Sequence, residues 1–182
     1  ISENSQKAII LHNGSEEILI LGTEFKADQN TEILRFIPLP SEPYISLAKT
    51  DPFEAINKLL QKKPVYFKTY NKGGGDSLSS VEIKLAQKIG SHDVTVIKIN
   101  NIEDFNIWLS NFFKNKNINK TKLQLKYVVK IVTEYVNKNI NYFLFDVVEI
   151  DQNEKFVKPL IMRFKSDKLY YPLKTSNTIG GK

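Results

Sequence analysis

The stretch "GGGDSLSS", residues 73–80, contains residue types that could support nucleophilic or anion-binding chemistry. Ser77 could act as a nucleophile if a histidine accepted its proton, and His92 is the histidine that follows it in the chain. The glycines and serines could instead place backbone N–H groups around a phosphate. A third interpretation is an exposed connection, because glycine and serine bury little apolar surface.

The sequence around Ser77 disfavours both chemical interpretations. In serine esterases of the Gly-Asp-Ser-Leu class, the serine lies at a strand-to-helix turn and the acid and base follow as Asp-x-x-His. Here the next segment, residues 81–89, alternates like a strand, and no Asp-x-x-His occurs. A phosphate loop needs its lysine after the last glycine, whereas Lys72 precedes the glycines. We therefore predict that residues 71–80 are an exposed connection without chemistry. A serine hydrolase that uses Ser77 and His92 stays as an alternative.

The remaining candidate ligands do not form a metal-binding pattern. The two histidines, His12 and His92, are each expected in a solvated turn, the second within residues 90–93. The chain contains no cysteine, which excludes disulfides, thiolate chemistry and cysteine zinc sites. Residues 151–154, "DQNE", lack the glycine and the distal glutamate of a calcium loop, so we predict a hairpin turn there. We expect no metal and no cofactor.

The charge pattern makes nucleic-acid binding an unlikely activity. The net charge is +6, and all but Arg35 and Arg163 of the 26 basic residues are lysines. Arginine is the residue that forks onto phosphates and base edges, and the lysines are interleaved with acidic residues. The densest basic run is expected to be a solvated linker over residues 114–121. A lysine-based polyanion-binding module remains an alternative, and it requires one contiguous basic face. No apolar run approaches the roughly 18 residues of a membrane span.

Hydrophobic periodicity predicts the order of the secondary-structure elements. Asn13-Gly14 predicts a hairpin within residues 7–27, and Pro38 makes the next strand leave the sheet or run along its edge. Asp51 and Asn101 are the expected helix N-caps. The later elements are expected to be a strand over 31–43, a helix over 50–64, strands over 81–89 and 94–99, helices over 102–113 and 121–137, and strands over 141–150 and 156–165.

This order predicts an α+β fold, with a mostly antiparallel sheet and about three helices packed on it. We expect one domain over residues 1–182. The aromatic positions of the second helix are expected to lie in the core rather than around a cofactor; they are Phe105, Trp108, Phe112 and Phe113. The first residue is Ile1 rather than Met, which is expected of a processed or trimmed chain.

Five stretches, in this order and spacing, resemble one protein family. They are "AIILHNGSEEILIL", "FIPLPSEP", "GSHDVTVIKINNIEDFNIWL", "YFLFDVVEI" and "LIMRFKSDKLYYPLK". The chain is similar to a family of secreted prokaryotic proteins known as domain-of-unknown-function family 2330. Its motif positions, called the signature residues below, correspond here to Asn13, Gly14, Pro38, Pro40, Ser41, Gly90, Asp93, Phe164, Ser166, Asp167, Tyr171 and Pro172.

The resemblance implies export and a single α+β domain, and it supplies no activity. The chain departs from the family pattern at residues 71–80 and ends at 180–182, where relatives continue, so we expect the native protein to be longer. For the signature residues we predict structural roles, with prolines at strand exits and Asp167 capping a turn. The expected function is therefore a non-catalytic extracytoplasmic interaction or accessory domain, whose partner is an unknown protein or a cell-envelope component.

Overall fold

Eight strands and three helices form the described part of the chain. The computed structural model describes residues 2–26, 30–60, 80–118, 122–150 and 157–173. The strands are β1 (Ser2–His12), β2 (Glu16–Lys26), β3 (Thr31–Leu39), β4 (Tyr44–Leu47), β5 (Val81–Ile89), β6 (His92–Ile99), β7 (Tyr142–Ile150) and β8 (Leu160–Lys165). The helices are α1 (Pro52–Leu60), α2 (Ile102–Asn115) and α3 (Lys122–Val136).

The strands form two four-stranded sheets, and every pairing is antiparallel. The first sheet has the order β1-β2-β8-β4, and the second sheet has the order β3-β7-β6-β5. The predicted α+β fold with antiparallel pairing is confirmed. The prediction of one sheet was too simple, because the strands divide between two sheets.

The second sheet is the middle layer of the molecule. An intersheet core joins it to the first sheet through Leu19, Leu21, Ile37, Leu39, Ile45, Val94, Val96, Leu144, Leu160, Met162 and Phe164. Its opposite face carries α2 and α3. Strand β7 shows why both faces of this sheet are covered. Leu144 points into the intersheet core, whereas Phe143 and Phe145 pack with the helices. A strand that is apolar on both faces is suited to this middle position.

Two tight turns set the ends of the hairpins. In the β1–β2 turn, the Asn13 side-chain oxygen accepts from the backbone N–H groups of Ser15 at 3.0 Å and Glu16 at 2.9 Å. Gly14 has φ +97°, a conformation that L side chains rarely adopt, so the predicted Asn-Gly hairpin is confirmed. The β5–β6 turn contains only Gly90 and Ser91, and His92 is already in β6. The four-residue turn predicted there was wrong.

The helix starts follow the predicted caps. The Asp51 side chain accepts from the N–H of Phe53 at 2.8 Å, and the Asn101 side chain accepts from the N–H groups of Glu103 at 2.7 Å and Asp104 at 3.1 Å. The aromatic positions predicted for the core of α2 are in it: Phe105, Phe112 and Phe113 are buried, and Trp108 is partly buried against Phe145. Local signals were therefore reliable for the helices.

Long-range connections differ from the prediction. The last two strands do not form a hairpin, because β7 pairs with β3 and β6 whereas β8 pairs with β2 and β4. The β3 strand continues through Pro38 along the sheet edge, which is one of the two predicted outcomes, whereas β4 had no predicted counterpart. Helix α2 reaches Asn115 and Ile118 packs on the helix core, so the first part of the predicted linker is not a solvated linker. Residues 71–79 and 151–154 lie outside the described residues.

Candidate functional site

A charged cluster lies between the two sheets and is called the buried ion cluster. It consists of Arg35 on β3, His92 on β6 and Asp146 on β7, with Thr23 of the first sheet beside it. Arg35 is directly opposite Asp146 in the β3–β7 register. The side chains of His92 and Asp146 have no exposed surface, and that of Arg35 is 16% exposed. Strand alternation places all three charged residues on the inner face of the second sheet.

Hydrogen bonds occupy both ring nitrogens of His92. Nδ1 lies 2.9 Å from Oδ2 of Asp146, and Nε2 lies 2.8 Å from the backbone carbonyl oxygen of Lys158. A carbonyl oxygen and a carboxylate only accept, so each ring nitrogen faces a hydrogen-bond acceptor. Arg35 contacts the same carboxylate through Nε at 3.1 Å and also through Nη2.

The surroundings of Asp146 favour its ionised form. Burial is the largest single influence and raises the pKa of this carboxyl. The hydrogen bond from His92 and the charge of Arg35 act in the opposite direction, and together they hold the pKa of Asp146 below its ordinary value. The cluster is thus a carboxylate between a guanidinium group and an imidazole ring.

This arrangement contains a histidine–carboxylate pair, but its geometry is not that of a general base. A catalytic histidine uses one nitrogen for the orienting acid and leaves the other for the substrate. The Nε2 atom of His92 instead donates to Lys158, and the ring is fully buried. The predicted solvated position of His92 was therefore wrong. Ser77, its predicted nucleophilic partner, lies outside the described residues.

The other histidine, His12, joins the β1–β2 turn to the segment after β8. The N–H of Gly14 donates to Nδ1 at 3.1 Å, so Nε2 carries the ring proton and donates to the carbonyl oxygen of Ser166 at 2.9 Å. The N–H of Ser166 also donates to the carbonyl oxygen of Ser15 at 3.0 Å. His12 is half-buried and has a structural hydrogen-bonding role here, unlike the solvated turn residue that we predicted.

Glu17 is a second buried carboxyl group, next to this junction. Its Oε2 atom accepts from the N–H of Tyr170 at 2.7 Å, and its Oε1 atom has no hydrogen-bond partner among the described residues. Burial raises the pKa of Glu17, and the hydrogen bond from the Tyr170 N–H offsets only part of this effect. Sequence analysis did not single out Glu17, although its position within an apolar strand was a usable signal.

Most signature residues serve to fix backbone segments to one another. The Ser41 hydroxyl donates to the carbonyl oxygen of Lys165 at 2.8 Å. The carbonyl oxygen of Pro38 accepts from the Tyr170 hydroxyl at 2.9 Å, and the ring of Phe164 packs edge-on against Tyr170. These contacts hold the 166–173 segment against the end of the intersheet core. Their geometry is that of structural contacts rather than of a site around a ligand.

The remaining signature residues are more scattered. Asp93 forms an ion pair with Lys116, Tyr171 donates its hydroxyl to Gln6 at 3.3 Å, and Asp167 is exposed. The structure therefore brings the N-terminal and C-terminal signature residues together. Gly90 and Asp93 lie apart from them, at the turn of the β5–β6 hairpin.

A partly buried ion network lies on the edge strand β5. Nζ of Lys84 lies 2.7 Å from Oε2 of Glu82 and 3.8 Å from Oε2 of Glu42. The Asn100 side-chain amide donates to Glu82 at 2.8 Å. The hydrogen bond from Lys84 is the main cause that lowers the pKa of Glu82. Opposite charges are paired throughout this network, so its evident effect is to fix the strand edge.

Comparisons with protein-family models, curated proteins and solved structures give no match for this chain. Within the described ranges, no three histidine, cysteine or acidic side chains are grouped so that they could hold a metal ion. None of the helices in the described part of the chain is long and apolar enough to cross a membrane.

An open cleft lies on the outer helical layer and is called the helix cleft. It is lined by Asn106 of α2 and by Leu125, Lys126 and Val129 of α3, has a volume of about 310 Å³, and its walls are mainly apolar. Ile107, the next residue on α2, is 63% exposed. Contiguous exposed apolar surface is typical of surfaces that bind another molecule, whereas a single exposed side chain is ordinary, so the apolar walls of the cleft are the more informative feature.

Sequence periodicity did not predict the helix cleft. The helical spacing of α3 predicts Tyr127 on its apolar face, but this side chain is 45% exposed, and the spacing of α2 gives no signal for the exposed Ile107. The cleft depends on how α2 and α3 pack against each other, which the period of either helix alone does not specify.

Proposed function

We propose that this protein is a non-catalytic interaction domain that acts outside the cytoplasm and contacts a partner through the helix cleft. The observation that carries the proposal is the exposed apolar surface of the helical layer. Ile107 is largely in water, and Leu125 and Val129 face an open cleft although they also pack on the helix core. Covering such side chains would remove apolar surface from water, which is the main favourable contribution to most protein association.

The strand edges are less suitable for binding a partner. The edge strand β1 has an irregular register between Glu3 and Ser5, and the edge strand β5 has one between Ile83 and Leu85. Both strands also carry lysines. Bulges and lysines are the features by which sheet edges resist pairing with another chain. The helical layer therefore supports the proposal better than the β1 and β5 edges do.

The use of the acid–base residues also supports a binding role. The only described histidine–carboxylate pair of hydrogen-bonded side chains, His92 with Asp146, lies between the sheets and joins them through Lys158. The half-buried His12 holds a turn to the 166–173 segment. These groups are thus used within the fold, where they hold segments together.

Support for an extracytoplasmic location comes from the ordered resemblance to the secreted family. The experiment adds protease to cells that produce the protein. Their outer barrier is permeabilised first, and the cytoplasmic membrane is left intact. We expect the full-length protein to be degraded while a cytoplasmic marker survives. Survival of both proteins would contradict this part of the proposal.

The binding role is tested with a photo-crosslinking amino acid in place of Ile107, in the full-length protein within the cells that produce it. We expect a discrete crosslinked adduct, and we expect it to weaken when Asn106→Trp fills the helix cleft. The matched control places the same amino acid at Lys7, which is exposed on β1. Equal crosslinking from both positions would argue against the cleft as the binding surface. So would an adduct whose yield is unchanged by Asn106→Trp.

A further inference from the structure

The helix cleft has an apolar floor with a helical repeat. Leu125 and Val129 are four residues apart, one turn of α3, and both line the cleft while packing on the helix core. An amphipathic helix presents its apolar anchors at the same spacing, three or four residues apart. The cleft is open rather than enclosed, so it fits an elongated partner better than an engulfed small molecule.

Two lysines follow one another along α3 beside this floor, and Glu134 comes one turn after them. Lys126 lines the cleft, and Lys130 follows one turn later; both are exposed, and neither forms an ion pair with a described residue. The first turn of α3 has no acidic residue. Lys126 and Lys130 therefore form a short lysine row whose charge an external anion can offset.

From this combination we infer that the helix cleft binds an acidic amphipathic helix of a partner protein. The apolar anchors of the partner lie between Leu125 and Val129, and its carboxylates face Lys126 and Lys130. The inference rests on the proposed function and adds the chemistry of the partner. A second copy of this chain fits less well, because the net charge of +6 and the lysine row would repel it. A polyanion would use the lysines and leave the apolar floor uncovered.

The test uses a fluorescent synthetic helix made of glutamate, alanine and leucine, with leucines spaced three and four residues apart. Its control is a scrambled peptide of the same composition. Binding to the full chain is measured by fluorescence anisotropy at two salt concentrations. We expect the amphipathic peptide to bind at least about tenfold more tightly than the scrambled one, with an affinity that falls as salt rises.

Variants of the chain separate the apolar and the charged contributions. We expect Lys126→Glu with Lys130→Glu to weaken binding about tenfold or more, and Asn106→Trp to weaken it without any change of charge. The matched control, Lys7→Glu with Lys168→Glu, changes the net charge equally on other exposed surfaces and should leave the affinity within about twofold. Circular dichroism and thermal unfolding check that every variant folds.

Several outcomes would overturn the inference. No binding of the amphipathic peptide would do so, as would equal binding of the scrambled peptide or of polyglutamate, which would indicate polyanion binding. A preference for phosphatidylglycerol vesicles over the peptide, sensitive to Asn106→Trp, would indicate a membrane surface instead. A cleft-dependent crosslink from Ile107 to a partner that lacks an acidic helix would retain the proposed function and reject this partner chemistry.

Discussion

The Nδ1 atom of His92 lies 2.9 Å from the Oδ2 atom of Asp146, and neither side chain has any surface in water. Arg35 approaches the same carboxylate from β3, and His92 continues the connection to the carbonyl oxygen of Lys158 just before β8. The carboxylate thus has a guanidinium and an imidazole as neighbours on the second sheet. The imidazole also bonds to Lys158, which leads into β8 of the first sheet. Such a cluster specifies how the two sheets face each other, because each charge needs its partner once water is excluded.

The first prediction is that Asp146→Asn strongly destabilises the fold. The substitution leaves Arg35 without its counter-charge and His92 without its carboxylate partner, and breaking a buried ion pair in this way costs about 3–5 kcal/mol. Equilibrium unfolding in urea at pH 7 measures the loss of free energy of unfolding. Asp93→Asn is the control, because the Asp93–Lys116 pair is about one-third exposed and is expected to contribute less than about 1 kcal/mol. Equal losses of unfolding free energy for the two variants would show that the buried ion cluster stabilises the fold no more than a partly exposed ion pair does.

The second prediction concerns the pH dependence that Asp146 confers. Its folded-state pKa lies below the unfolded value of 3.8, so the ionised carboxylate contributes stability above that pH. This contribution is lost as the pH falls below 3.8 and through the lowered folded-state pKa. The difference in unfolding free energy between the parent and Asp146→Asn should therefore be constant near neutral pH and narrow in acid. Urea unfolding of both proteins from pH 7 to pH 3 measures it, and a constant difference throughout would contradict the prediction.

Local signals in the sequence predicted the helices and the first turn. Asn13 and Asn101 place their side-chain oxygens on backbone N–H groups only two or three residues away, so a short window contains all the information required. The same holds for the apolar faces of α2 and α3. The α+β class then followed from the order of the elements.

The pairing of distant strands could not be predicted in the same way. Whether β8 joins β7 or β2 depends on which apolar faces meet, and alternation along a single strand is the same in both cases. The burial of His92 has a similar origin, because shortening the turn to two residues moves it from the turn into β6. Arg35 and Asp146, single charges within apolar strands, were the available signals of a buried ion pair.

The third prediction is that Glu17→Gln stabilises the protein at neutral pH. Burial raises the folded-state pKa of Glu17, so its favourable contribution is present below the unfolded value of 4.5 and is lost as the pH rises through the raised value. Above that range a carboxylate is buried with one oxygen that has no described partner. Glutamine keeps an oxygen for the Tyr170 N–H and has no charge.

We expect Glu17→Gln to raise the free energy of unfolding at pH 7 by about 1 kcal/mol, because an uncharged amide costs less to bury than a carboxylate. The gain should shrink or reverse at pH 4, where the parent carboxyl is more protonated. Urea unfolding at the two pH values measures both effects. Glu24→Gln, a carboxyl at the far end of the same strand, is the control. A loss of stability at pH 7 would show that Glu17 is better satisfied than its contacts indicate.

The last prediction concerns the glycine- and serine-rich stretch at residues 71–80, most of which lies outside the described residues. We expect the parent protein to show no ester hydrolysis that depends on Ser77, because His92 uses both ring nitrogens within the buried ion cluster. Ser77→Ala should therefore change neither the hydrolysis of a p-nitrophenyl ester nor the melting temperature. Alanines at residues 73–75 should cost no more than roughly 1 kcal/mol, unless more than one of these glycines has a positive φ. Hydrolysis that Ser77→Ala abolishes would instead require a base other than His92, and it would overturn the non-catalytic proposal.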